Sequence, residues 1–208
     1  MVALFYKNSA TSVFLTGENM ESIASREIIT NKKICRMLAV AVFIAFTALS
    51  AFVRIPLPFT PVPLTLQTLF VLFSGALLGR RLGVFTQIGY LLLGLTGLQV
   101  FTGFGSGSLY LLGPTGGYIV GFVLASFFAG SLFSETRHNW MNTFLKFLCA
   151  DFIILFSGML WLKLSLSCSF SQAFLLGFLP FVPGDLLKVV LATAVFKRIH
   201  SRIKVSLY

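Results

Sequence analysis

Asp185 and Lys188 stand three residues apart inside an otherwise apolar stretch, 174–196. An ionised group in hydrocarbon costs at least a few kcal/mol, so acids and bases there usually serve a purpose. At this spacing the two share one helix face. Pro180, Pro183 and Gly184 lie just ahead of them and predict that a helix begins there. The carboxylate can then accept backbone or ligand N–H groups, and the ammonium can hold a carboxylate or pair with Asp185. A structural ion pair accounts for the same two residues. Asp151 is the other acid in an apolar run, and its place in the sequence predicts the opposite membrane surface, with an interfacial or structural role.

Weaker candidates surround this pair. Gln67 is a lone amide in an apolar segment. Tyr110 and Tyr118 can donate a hydrogen bond while their rings pack, or can belong to an interfacial aromatic belt. Gly113-Pro-Thr-Gly-Gly-Tyr118 lacks a Cβ at three positions, so other groups can approach its backbone closely. Gly113, Gly117 and Gly121 also form a small-residue stripe suited to helix packing. Ala41 and Ala45 are spaced likewise.

The elements that must position these residues are membrane helices. Of 208 residues, 57% are hydrophobic and 11% charged, against roughly 25% charged in a soluble domain. Mean hydropathy is +0.92. At about 20 residues per span, the chain accommodates six. They are expected at 34–53, 64–79, 82–100, 109–133, 143–164 and 174–196, the last broken at 180–184. Residues 1–31 read as a polar tail ahead of a six-helix domain at 32–208, and Met20 is an alternative start. An Ala48-Leu-Ser50 run after a basic flank loosely resembles a signal-peptide cleavage site, but the later spans need this first helix.

The net charge of +10 lies at the ends of apolar segments, which points to orientation in a bilayer rather than to nucleic acid. One side carries Arg26, Lys32, Lys33, Arg36, Arg80, Arg81, Arg137, Lys146, Lys197, Arg198, Arg202 and Lys204. The other holds Arg54 and Lys163. The positive-inside rule places both termini in the cytoplasm. Three irregular segments then share the outer face: the proline-rich 54–63, the glycine-rich 101–108, and 165–184. Irregular backbone at the membrane is tolerated where it lines a cavity or is buried in protein, so a pocket open to the outside is expected.

Other chemistry is missing. Cys35, Cys149, Cys168, His138 and His200 have no metal-ligand spacing. There is no P-loop, no H-E-x-x-H and no G-x-S-x-G. No cofactor or catalytic residue is expected, and accumulation of a ligand would need a partner or an ion gradient. Three other readings remain open: an intramembrane enzyme using Asp151 and Asp185, a packing subunit without ligand, and autonomous transport.

Three motifs in order, Pro61-Val-Pro-Leu-Thr-Leu-Gln67, Gly113-Pro-Thr-Gly-Gly-Tyr118 and Phe178-Leu-Pro-Phe-Val-Pro-Gly-Asp185-Leu-Leu-Lys188, resemble the BioY family. Its members are biotin-capturing S components of energy-coupling factor (ECF) transporters. The resemblance spans about residues 35–200. It implies an all-α, six-helix S-component bundle in the cell membrane, with biotin bound near the outer surface under the first and third loops. It implies Asp185, Lys188, Tyr118, Tyr110, Phe104, Gly103 and Gln67 as ligand contacts. A coupling protein would dock on the first helix at Ala41 and Ala45, and two cassette ATPases would supply the energy. The whole S component would topple in the membrane to deliver its ligand. Where some relatives carry a basic or amide side chain near the third loop, this chain has Phe104, Tyr110 and Tyr118. That difference gives Lys188 more weight as a carboxylate contact. Another small vitamin-like substrate, or a stand-alone biotin transporter, is the alternative.

Overall fold

The computed structural model describes residues 32–134 and 139–203. The expected tail 1–31, Met20, Arg26, Arg137, His138 and Lys204 lie outside them. The chain divides into two compact units. Residues 1–38 contribute only the opening turns of the first helix to the described part, and residues 39–208 hold everything discussed below.

Helix α1 (Lys32–Ser50) is followed by two short strands, β1 (Arg54–Ile55) and β2 (Leu64–Thr65), paired antiparallel with Arg54 opposite Thr65. The proline-rich segment is therefore a flap pinned at its base by this pairing. Helix α2 (Gln67–Leu95) is continuous except at Gly79, where φ 79° and ψ 174° break it. Its halves, α2a (67–78) and α2b (80–95), fold back on each other. Gln67 Nε2 donates to the Tyr90 hydroxyl at 2.6 Å, and Gln87 Nε2 donates to Ser74 Oγ at 2.8 Å. In one straight helix, residues 23 apart would lie about 35 Å from each other. The second and third expected spans are thus present as a helical hairpin turned on a single glycine.

The fourth expected span is divided. A short helix α3 (Gly107–Leu112) precedes α4 (Gly116–Leu132). Pro114 forbids a helical amide and pushes Gly113 to extended backbone, so the chain breaks between them. Helix α5 (Trp140–Ser165) starts on an Asn139 cap whose side chain accepts from the Asn142 N–H. Helix α6 (Phe170–Gly177) opens on a capping box of Ser169 and Gln172. It bends by 50° into α7 (Val182–Ile203), and Pro183 sits in the first turn of α7, where its missing N–H costs nothing.

Three described helices are long and apolar enough to cross a membrane, and the bent α6–α7 pair adds a fourth. One of the three is the α2 hairpin, which supplies two passes, and α4 is a shorter apolar helix. Counted this way, the described residues form a helical bundle of six passes.

Small residues let these helices approach. A Cβ on Gly75 would meet the Ser126 carbonyl of α4 at 2.5 Å, and one on Gly121 would lie 3.1 Å from the Ile154 Cα of α5. Gly117 and Gly121 therefore serve helix packing. Gly113 stands apart in the break, where its carbonyl accepts from Trp161 Nε1 at 3.0 Å.

The connections gather at two ends. At one end, Phe52 packs on Phe104 with ring centroids 5.1 Å apart, and the Tyr118 hydroxyl reaches the Gly177 carbonyl at 2.5 Å. At the other, Phe133, Phe147 and Phe196 form an aromatic plug with centroids 4.5–5.7 Å apart. Arg80 and Lys197 lie over the rings of Phe127 and Trp140, as expected of cations reaching out from apolar helices.

Candidate functional site

The Asp185–Lys188 pair lies in the first two turns of α7, and both residues are buried. The backbone N–H of Asp185 donates to the Phe181 carbonyl at 2.8 Å, so its carboxylate is free for side-chain partners. Lys188 Nζ donates to Asp185 Oδ1 at 2.6 Å and to Thr68 Oγ1 of α2a at 2.9 Å. These two contacts satisfy a buried ammonium that would otherwise pay heavily for leaving water.

One turn away, a second polar group forms around Gln67. Its Nε2 donates to the Tyr90 hydroxyl, and its Oε1 accepts from Thr102 Oγ1 at 2.9 Å. The Tyr90 hydroxyl donates onward to the Val100 carbonyl at 3.2 Å. The Tyr110 hydroxyl donates to the Thr102 carbonyl at 3.0 Å. One amide therefore ties the start of α2a to α2b and to the glycine-rich loop. That loop turns on Gly103 and Phe104, both at positive φ, and closes with a Phe101–Gly105 bridge. Phe101 is fully buried, stacked on Tyr110 at 5.0 Å and edge-on to Tyr90 at 5.6 Å.

These groups line one narrow cavity of about 50 Å³. Asp185, Lys188, Thr68, Gln67 and Thr102 supply polar atoms; Tyr90, Tyr110, Tyr118, Ile154 and Phe181 supply apolar surface. The flap closes it with Val62, Pro63 and Leu64. A second cavity lies beside it toward the loop end of the bundle and shares Pro63, Thr102, Tyr110 and Thr115 with it.

Of the residues singled out by sequence, Asp185, Lys188, Gln67, Tyr110 and Tyr118 meet at the first cavity, and Gly103 lines the second. Phe104 lines neither; it is exposed and packs on Phe52. Ala41 and Ala45 lie on the exposed face of α1, beside Val42 and Phe46. Asp151 sits near the middle of α5 and is buried, and its Oδ1 has no hydrogen-bond partner. Thr68, Tyr90 and Thr102 were missed. Each is an ordinary residue of an apolar segment, and only the hairpin at Gly79 and the loop closure bring them to the site.

Tyr118→Phe tests the joint between the site and the α6–α7 bend. Losing the hydroxyl leaves the Gly177 carbonyl buried without its donor, a cost of about 1–3 kcal/mol. The expected outcome is a lower melting temperature in detergent with helix content unchanged, measured by circular dichroism.

The profile of the BioY family matches residues 20–205. A protein described as a probable biotin transporter BioY from Pyrococcus horikoshii is 39% identical over 161 residues, covering 77% of this chain and 93% of its own. The biotin transporter BioY of Thermotoga maritima is 35% identical over 164 residues, covering 79% and 95%. Among solved structures, the S-component for biotin from an ECF-type ABC transporter superposes with a TM-score of 0.79 at 28% identity, covering 86% of this chain and 98% of that one.

Proposed function

Because the chain belongs to the BioY family, whose members are transporter S components and not enzymes, we propose that it captures biotin for uptake across the cell membrane. The observation that carries this reading is the contact of Lys188 with Asp185 and Thr68 on the wall of a cavity also lined by Tyr118, Ile154 and Phe181. The ion pair is neutral in sum, yet Asp185 keeps acceptor capacity beyond the oxygen that Lys188 holds. Such a wall suits a neutral polar ring with N–H donors, as in the ureido ring of biotin. The thiophane ring would lie against Tyr118, Phe181 and Ile154. Gln67, Tyr110 and Gly103 would shape the remainder, and Phe104 would cover the loop end from its position on Phe52.

The finer scheme follows from the charges. Among the described residues, Arg54 and Lys163 lie at the loop end, while Arg80, Arg81, Lys146, Lys197 and Arg198 lie at the other. The positive-inside rule turns the cavity outward and the termini inward. The exposed face of α1 at Ala41 and Ala45 would meet the coupling protein of an ECF module, whose ATPases would drive delivery.

Titration of the purified protein with biotin tests the reading. Saturable binding of one biotin per chain at micromolar concentration or below is expected. A folded protein that binds none at micromolar concentration sinks it. Biotin uptake by vesicles containing this chain alone would instead support autonomous transport and remove the need for an ATPase module.

A further inference from the structure

Lys188 spends its ammonium on Asp185 and Thr68 and is buried with them, so a ligand carboxylate entering the inner cavity meets a charge already neutralised. The adjoining outer cavity contains one charged side chain, Arg54. Its backbone is fixed by the pairing of β1 with Thr65 of β2. Its guanidinium lies against Gly103, with Nη1 2.6 Å from where a Cβ on that glycine would stand. A Cβ at residue 103 would displace this guanidinium end, and the positive φ of Gly103 disfavours a side chain independently. Flap and glycine-rich loop therefore leave room for this guanidinium at the outer cavity. Arg54 forms no ion pair with a described residue, and the two described acids, Asp151 and Asp185, are both buried deeper in the bundle.

We propose that Arg54 is the carboxylate-recognising residue of this protein, receiving the acid end of the ligand at the outer cavity while the neutral polar ring occupies the inner one. The proposal rests on the biotin-capture reading and settles its polarity: ring inward, valerate outward. Guanidinium suits this task because its fork of N–H donors matches a carboxylate. An exposed position also spares it the desolvation cost that Lys188 could not escape.

Biotin and biotin methyl ester separate the contributions, since the ester keeps the rings and loses the charge. The wild-type chain, Arg54→Gln and Arg54→Lys are titrated with both compounds by calorimetry at low and moderate salt. The wild type is expected to prefer the acid by roughly tenfold or more, the scale of one charge-assisted contact. Arg54→Gln should lose that preference by weakening biotin alone, and Arg54→Lys should retain part of it. An unchanged acid-to-ester ratio in Arg54→Gln, or equal weakening of both compounds, overturns the role of Arg54 while the biotin reading stands. A wild type that binds neither compound overturns the reading and this inference together.

Discussion

In Asp185→Asn protein, biotin binding at micromolar concentration is expected to disappear, and the folded state to lose about 3–5 kcal/mol. The reason is the same for both effects. Lys188 is buried with two partners, one of them the carboxylate at 2.6 Å. An amide in its place removes the counter-charge and leaves an ammonium in a low-dielectric site with only neutral acceptors around it. Loss of binding through simple instability is separated by the double replacement Asp185→Leu/Lys188→Met. This variant removes both charges at once, and apolar replacements of buried pairs are often neutral or stabilising. It should therefore melt at or above the wild-type temperature in detergent and still bind no biotin. Wild-type affinity in either variant removes Asp185 from the site.

Gly79→Val is the second large effect. At φ 79° and ψ 174°, Gly79 occupies a region open essentially to glycine, and a β-branched residue there is strained by about 1–3 kcal/mol. Gly130 of α4 also packs closely against the backbone at this turn. The consequence reaches the other end of the hairpin. Gln67 and Thr68 sit on α2a and Tyr90 on α2b, and their register across the hairpin sets the bond between Gln67 and Tyr90. The expected outcome is a fall in melting temperature with biotin affinity reduced at least tenfold, although the substitution lies far from the cavity. Gly79→Ala should be milder in both readouts. A Gly79→Val protein with wild-type stability and affinity would show that the turn does not set the site.

Much of this molecule is legible before any coordinates. Apolar runs and their charged ends indicate a six-pass bundle, and the break before Asp185 shows in Pro180, Pro183 and Gly184. Short-range signals of this kind are strong in membrane proteins because hydrocarbon penalises every unpaired backbone group and every charge. The hairpin at Gly79 is half legible: Arg80-Arg81 marks a turn, but nothing local says that a single glycine is enough to make it. The division at Gly113–Thr115 is signalled by Pro114 only once the length of the expected span is set aside. Asp151 reads from the sequence as interfacial or structural, and only the packed bundle shows its carboxylate buried with an oxygen that has no hydrogen-bond partner.

The amino-acid sequence alone determines that the chain lives in a bilayer, how many times its helices pass, and that Asp185 and Lys188 share a helix face at a break. Those properties depend on composition and on periodicity within one segment. Only the tertiary structure decides that Lys188 is spent on Asp185 and Thr68, that Tyr90, Gln67 and Thr102 form one network, and that the Arg54 guanidinium lies against Gly103. Each of these joins residues from different helices or loops, 120 positions apart for Thr68 and Lys188. Their partners are selected by how the helices pack, and close packing is a property of the whole bundle rather than of any one segment.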